Sequence, residues 1–387
     1  MSPSLAVAVL VFVLVAAVFV MMARGGTSLG RLADVAPPAD DAERPSVSVV
    51  VAARNEERHV AAALGSLLSQ VEADGGGMEI VVVEDRSTDA TGAILARMAA
   101  AHPALRVISV TELPAGWLGK NHALQVGAAA ARGEVLLFTD ADVVMAPGAI
   151  RRAAAYLVRT GRDHLAMAPA VRMPGRLLQA FGVAFGIFFS LATRPWRVGD
   201  PRSRAHVGVG AFNMVRASAY RAMGGHRAIA MRPDDDLKLG KLVKKHGFGQ
   251  AFLIGAPDVS VEWYATLGEA VEGLKKNAFA GLEYRLSWVV AATVVHASLF
   301  LWPYVGLVVV GGPARWLYAA SVVLLLLLFV GAAQSQGVPL TDAVLFPVAS
   351  AVFLFIVWNA TLWTLARGGI EWRGTRYSLA ELRANRV

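Results

Sequence analysis

The 387-residue chain contains no cysteine. That excludes disulfides, thiolate metal sites, iron–sulfur clusters and a cysteine nucleophile. Charge is also scarce: 17% of residues are Asp, Glu, Lys or Arg, against roughly 25% in an average soluble domain. What replaces it is apolar. Hydrophobic residues make up 56% of the chain and the mean hydropathy is +0.50. This composition excludes disorder and argues against a purely soluble enzyme; it points to a globular domain with membrane spans attached. The charges present are unbalanced, 37 Lys and Arg against 29 Asp and Glu, for a formal net charge of +8. No nucleic-acid module accompanies that excess, so it reads as cytoplasmic segments facing anionic lipid, with no nucleic acid as partner.

The first apolar run, Leu5 to Ala23, is uncharged and long enough to cross a bilayer. A cleaved signal peptide would need a basic stretch before a shorter core. Here Arg24 and Arg31 follow the run instead, predicting an anchor over residues 1–24 with its N-terminus outside and the next segment in the cytoplasm. Residues 25–44, with Pro37 and Pro38, read as a linker. From 45 to 285 the pattern is α/β. Val47–Ala53, Ile80–Val83, Leu105–Val110 and Glu134–Thr139 read as buried strands, and His59–Gln70 carries helical spacing. Alternation at this interval predicts a doubly wound, mostly parallel sheet, with ligands at the carboxyl ends of its strands. Residues 286–366 hold three uncharged runs, Trp288–Val310, Trp316–Ala333 and Ala343–Ala366, followed by a basic tail over 367–387. If every run crosses, an external N-terminus puts that tail outside, against the positive-inside rule. Either one C-terminal run does not cross or the rule fails here. Inside the α/β region, Leu177–Thr193 is a further apolar stretch. A crossing there would split the domain, which leaves an interfacial helix or an ordinary buried one.

The strongest local signal is Thr139-Asp140-Ala141-Asp142 at a strand end. Two carboxylates so placed can hold a hard divalent cation against phosphate oxygens; a strand-end turn, where Asp is common, is the bland alternative. Other polar clusters accompany it: Arg54-Asn55-Glu56-Glu57, Glu84 to Asp89, Gly119-Lys120-Asn121, and Asp234-Asp235-Asp236 opening an amphipathic segment. Clusters at successive strand ends converge on one crevice.

VSVVVAARNEE (47–57), VVVEDRSTDAT (81–91), GKNHAL (119–124), LLFTDADV (136–143) and DDDLKLGKLVKKHG (234–247) together resemble the motifs of family-2 glycosyltransferases of the GT-A fold, in order. The resemblance covers roughly 45–285. The setting of PAGWLGK, TDAD and GDPRSRA is similar to membrane glycosyltransferases associated with hopanoid and carotenoid pathways. The resemblance implies that Asp85 binds the base of a nucleotide sugar, that Lys120 lies along the nucleotide or its phosphates, and that Asn55 and Glu56 share that pocket. It implies Mg²⁺ or Mn²⁺ on Asp140 and Asp142, with Asp142 the direct ligand. Asp236 becomes the candidate base, beside Asp235, which stands where the family usually has Glu.

Other motifs fall away. Gly208-Val209-Gly210 is not a dinucleotide fingerprint, and Gly116 to Lys120 is not a P-loop. No two of the eight histidines stand four apart, so a zincin-type site has no support. His296, inside an apolar run, reads as packed or cavity-lining. Lys275-Lys276-Asn277 reads as an interfacial face or a phosphate contact. The expected function is an inverting transfer of sugar from a nucleotide-diphosphate donor to an isoprenoid or glycerolipid hydroxyl, at the cytoplasmic membrane with the catalytic domain facing the cytoplasm. The alternatives are a processive polysaccharide synthase, a nucleotidyltransferase, or a non-catalytic membrane scaffold keeping the fold. A synthase would carry Gln-x-x-Arg-Trp after the base, and ahead of Arg315-Trp316 position 312 is Gly.

Overall fold

The computed structural model describes residues 2–74 and 77–387. The chain divides into two compact units. One comprises residues 29–171, 194–262 and 384–387; the other comprises 1–28, 172–193 and 263–383.

The first unit is built on an eight-stranded sheet. Its spatial order is Gly30–Arg31, Gln250–Ile254, His164–Ala168, Asn213–Arg216, Val135–Asp140, Val47–Ala53, Met78–Asp85 and Leu105–Val110. Asn213–Arg216 runs antiparallel to both neighbours, while the remaining pairs are parallel. The expected strands are all present. Leu105–Val110 and Val47–Ala53 fall on their predicted bounds, the second strand extends to Met78–Asp85, and the fourth shifts by one residue to Val135–Asp140. The expected helix over 59–70 runs Val60–Asp74. Val-rich sequence suits these strands because helices cover both faces: Val49, Val50, Val81, Val82 and Val83 are fully buried. Each such side chain contributes roughly 1.5–3 kcal/mol.

Val47–Ala53 lies between Val135–Asp140 and Met78–Asp85, so successive connections leave it in opposite directions. That switch point opens a crevice at the carboxyl ends. Ala52 pairs with Asp140 and Ala53 with Glu84, which brings the residues after all three strands to one rim. The helix Gly119–Ala130 covers this part of the sheet. A Cβ on its Gly127 would lie 2.5 Å from Val50 Cγ1 and 3.1 Å from Val83 Cγ2, so the glycine sets how closely helix and sheet approach.

The second unit gathers helices. Among the described residues, five helices are long and apolar enough to cross a membrane: Pro3–Thr27, Arg176–Arg197 (whose last four residues belong to the first unit), Leu286–Val309, Pro313–Gln336 and Leu340–Arg367. The expected N-terminal and C-terminal runs are among them. Leu286–Val309 contains a π-helical turn at Ala297–Leu301. The stretch expected over 177–193 is the helix Arg176–Thr193, and it packs with its own unit. Phe185 meets Trp263 edge-on at 4.8 Å, and Phe188 meets His296 and Phe353 at 4.5 and 4.8 Å. His296 is buried in this aromatic cluster and bonds the Ser350 carbonyl at 3.2 Å.

The glycine spacing makes a paired prediction. Gly127→Ala should destabilise the protein by about 1–3 kcal/mol, because the added methyl overpacks the helix–sheet contact. Gly65→Ala sits in an exposed helix interior with nothing within 4 Å of the new Cβ and should stabilise by about 1 kcal/mol. Thermal unfolding of the detergent-solubilised variants measures both, and equal shifts would refute the packing argument.

Candidate active site

The crevice is lined by Lys120, Leu124, Phe138, Thr139, Asp140, Gly210, Asn213, His226, Asp235 and Asp236. Lys120, one residue into the helix Gly119–Ala130, sends its ammonium between two carboxylates: Nζ is 2.8 Å from Asp140 Oδ1 and 3.4 Å from Asp235 Oδ2. Asp140 is the last residue of its strand, and Asp235 and Asp236 open the helix Asp235–Lys245. Burial alone would lower the lysine's pKa. The charges of Asp140, Asp235 and Asp236 overcome it and raise the pKa above the ordinary lysine value, so the side chain is a fixed cation.

Asp236 is held by backbone. Its Oδ2 accepts from Gly210 N at 2.8 Å and its Oδ1 from Leu237 N at 2.7 Å. Burial, then the adjacent Asp235 charge, push its carboxyl up to about 7. Two glycines permit this approach. A Cβ on Gly208 would collide with the Asp236 backbone, and one on Gly210 would lie 2.5 Å from Asp140 Oδ2. Behind them runs a buried polar chain. His164 Nε2 donates to Asn213 Oδ1, and Asn213 Nδ2 donates to the Asp236 carbonyl at 3.3 Å. His164 Nδ1 faces Gln250 Nε2 at 3.1 Å. Burial lowers the His164 pKa to about 4, which keeps the ring neutral.

Asp142 stands on the other side of Asp140. Burial first, then the charges of Asp140 and Glu56, raise its carboxyl to about 7. Its Oδ1 is buried without a hydrogen-bond partner among the described residues. A carboxylate oxygen so placed, with negative charge around it, fits a divalent cation. The described residues contain no cluster of three protein ligands. That suits an ion carried mainly by substrate phosphates and one or two carboxylates.

Asp85, at the end of its own strand, is buried and engaged by arginines. Arg86 meets it through two contacts at 2.8 and 3.1 Å, and Arg54 lies at 3.8 Å. A Cβ on Gly119 would fall 2.5 Å from Asp85 Oδ2, so this glycine lets the helix start rest on the carboxylate. Asn55 lies at the exposed rim with φ +54°, and its amide oxygen accepts from Thr88 N at 2.8 Å. Its side chain therefore braces the loop after Asp85. Glu56 is partly buried, its own N–H bonded to Thr91 Oγ1 at 2.8 Å.

Of the expected residues, Lys120, Asp140, Asp235 and Asp236 share one pocket, and Asp142 and Glu56 share the field beside it. Asp85 is reached through Gly119, and Asn55 is drawn into loop structure. Asp234, although third in the acidic run, is tied bidentately to buried Arg232 at 2.9 and 3.0 Å. Sequence reasoning missed the roles of Gly208, Gly210, Asn213 and His164, and named Asn121 only as part of the Gly119-Lys120-Asn121 cluster. Asn121 directly follows Lys120 and donates to the carbonyls of Ile229, Ala230 and Arg232 at 2.8, 3.2 and 2.9 Å.

The bridge generates a prediction. Lys120→Met leaves three carboxylates facing one another and should cost about 1–3 kcal/mol of stability, less than a fully buried pair because Asp140 is 40% exposed. Adding Asp140→Asn should recover part of that loss, because it removes one of the repelling charges. Thermal midpoints test the pair, and strict additivity would sink the coupling.

Residues 48–223 match the model described as Glycosyl transferase family 2. Among curated proteins, the 4,4'-diaponeurosporenoate glycosyltransferase of Staphylococcus aureus is 24% identical over 239 residues. That alignment covers 61% of this chain, and the chain spans 61% of the relative's length. Among solved structures, a mannosyltransferase from Pyrobaculum calidifontis in complex with GDP-Man and Mn²⁺ aligns with a TM-score of 0.55 at 18% identity. The alignment covers 93% of this chain and 99% of that one. The fold is therefore of the GT-A type.

Proposed function

We propose, from the match of residues 48–223 to the Glycosyl transferase family 2 model, that this chain moves a sugar from a nucleotide-diphosphate donor to a lipid hydroxyl, with inversion. The observation that carries this reading is the convergence of Lys120, Asp140, Asp235 and Asp236 on one crevice at the sheet's switch point. The Pyrobaculum mannosyltransferase holds GDP-Man and Mn²⁺, which supports a nucleotide-sugar donor and a divalent ion here. The Staphylococcus relative is named for 4,4'-diaponeurosporenoate, which with the apolar helices supports a lipid acceptor at the membrane. We place the enzyme in the cytoplasmic membrane with the α/β unit in the cytoplasm, since Arg24 and Arg31 follow the N-terminal apolar helix.

In this reading Asp85, Asn55 and Glu56 line the donor side, with Asp85 toward the base. Asp140 and Asp142 would hold Mg²⁺ or Mn²⁺, which neutralises charge on the departing diphosphate. Asp142 is the direct ligand, since one Asp140 oxygen already meets Lys120. Lys120 fixes positive charge beside the phosphates. Asp236 takes the proton of the acceptor hydroxyl as its oxygen bonds the anomeric carbon. The bond from that carbon to the diphosphate oxygen breaks, and the nucleoside diphosphate leaves with the electron pair. A carboxyl held near 7 by burial accepts a proton more readily than an ordinary one. Direct displacement by one base inverts the anomeric centre.

Asp236→Asn keeps an acceptor oxygen for one of the two backbone N–H groups, gives up the other contact and removes the base. Donor binding by the purified variant should persist, while transfer falls about 10²–10⁴-fold. Near-normal turnover would demote Asp236 to a helix-start residue and move the search to Asp235. Chelation should abolish wild-type transfer and Asp142→Asn should weaken the metal dependence. Full activity in excess chelator would remove Asp140 and Asp142 from the metal role.

A further inference from the structure

The two ends of the C-terminal apolar run lie side by side. Lys275, ahead of the run, and Arg367, at its end, share one indole: their charged groups are 5.6 and 4.8 Å from the Trp363 ring centroid. Lys276 Nζ lies 4.2 Å over Trp372, and Arg383 donates to the Tyr284 carbonyl at 2.8 Å. Beyond Arg383 the chain rejoins the α/β unit. Asn385 Oδ1 accepts from Met231 N at 2.9 Å, and its Nδ2 donates to the Ala228 carbonyl at 3.1 Å.

A chain that leaves a folded aqueous unit and returns to it crosses the bilayer an even number of times. Between Glu262 and Ala384 lie Leu286–Val309, Pro313–Gln336 and Leu340–Arg367, so they cannot all be crossings. The same rule applies to Arg176–Arg197, which stands alone between two stretches of the α/β unit and so stays on that unit's side.

We infer that Phe346–Arg367 is the helix that does not cross: it is re-entrant, starting at mid-depth and returning to the face on the α/β unit's side, where its basic end meets anionic headgroups. Its depth follows from its partners. Phe346 meets Phe300, Ser350 meets His296, and Trp358 donates to Thr293 at 3.0 Å, so it runs antiparallel to the first half of Leu286–Val309. Phe300 lies only about 21 Å along a helix of about 36 Å, at 1.5 Å per residue. Phe346–Arg367 therefore begins at mid-depth and descends to the face it came from.

Leu286–Val309 and Pro313–Gln336 then form the crossing hairpin, closed by the Trp302 to Tyr318 hydrogen bond at 3.0 Å. Its far turn has one basic residue, Arg315, whereas Lys275, Lys276, Arg285, Arg367 and Arg373 all lie on the near side. The positive-inside bias, which three crossings would violate, is then obeyed. Val348, Phe355 and Leu362 form one exposed apolar stripe on the re-entrant helix, available to lipid tails. Cations stacked on Trp363 and Trp372 supply the charge that an anionic leaflet attracts.

The cysteine-free chain allows a direct test on the full-length protein, independent of transferase activity. Single cysteines are placed at Gly311 in the far turn, Arg386 in the tail and Glu112 on the α/β surface. Each is exposed to an impermeant maleimide in sealed spheroplasts, before and after permeabilisation. Arg386→Cys should behave like Glu112→Cys, and Gly311→Cys should show the opposite accessibility. Arg386→Cys labelling together with Gly311→Cys, or Gly311→Cys labelling together with Glu112→Cys, overturns the inference.

Discussion

The Lys120 ammonium, set between Asp140 and Asp235, is the contact on which the crevice depends. Asp140 closes a strand and Asp235 opens a helix, and nothing in their local geometry requires them to approach. Like charges in a buried cleft repel, and each unpaired carboxylate would take up a proton or force its element away. One cation between them makes the approach favourable. The residues on either side extend the effect. Gly119 rests on Asp85, and Asn121 ties down the carbonyls of Ile229, Ala230 and Arg232. Three consecutive residues at one helix start thus contact Asp85, the central charges and the segment that leads to Asp236.

The strands were legible because their physics is local. A parallel strand buried on both faces must be a short Val-rich run, and Val47–Ala53 is that and little else; Leu105–Val110, at the sheet edge, is buried only at Leu105 and was marked by its β-branched residues. The DxD and acidic clusters were legible for a related reason: polar residues ending a buried run have only the crevice to enter. The glycines were not. Gly208-Val209-Gly210 was weighed against a nucleotide-binding fingerprint and set aside, correctly, yet its small size matters for another reason. The atoms that a Cβ would strike belong to Asp140 and Asp236, which are distant in sequence. The His164–Asn213 link has the same character, joining two strands with no shared pattern. Asn55 shows the converse: a polar residue in a matching motif whose side chain braces Thr88.

The apolar runs illustrate a limit of composition. Ser350, Thr361 and Thr364 on the inner face of Phe346–Arg367 are buried, while Val348, Phe355 and Leu362 are exposed. Averaged along the run, the few hydroxyls of the inner face are outweighed, so length and mean hydropathy mark the helix as a crossing. Depth is a property of pairing, carried here by Phe300 against Phe346 and His296 against Ser350. Charge counting on the sequence left two choices open, a C-terminal run that does not cross or a broken charge rule, because it carries no information on pairing.

The returning tail also has a structural consequence. Asn385 bonds Ala228 and Met231, alternating along the chain with the carbonyls that Asn121 holds. The segment 228–232 is therefore clamped from two directions, by the helix start that carries Lys120 and by the end of the chain. That segment leads directly into Asp234, itself locked by Arg232, and then into Asp235 and Asp236. A base works only if its carboxylate stays within hydrogen-bond reach of the reacting hydroxyl, and a displacement of about 1 Å can cost two orders of magnitude in rate. In the topology inferred above, an even number of crossings is thus more than a detail: it brings Asn385 back to the side on which it braces the segment leading to Asp236.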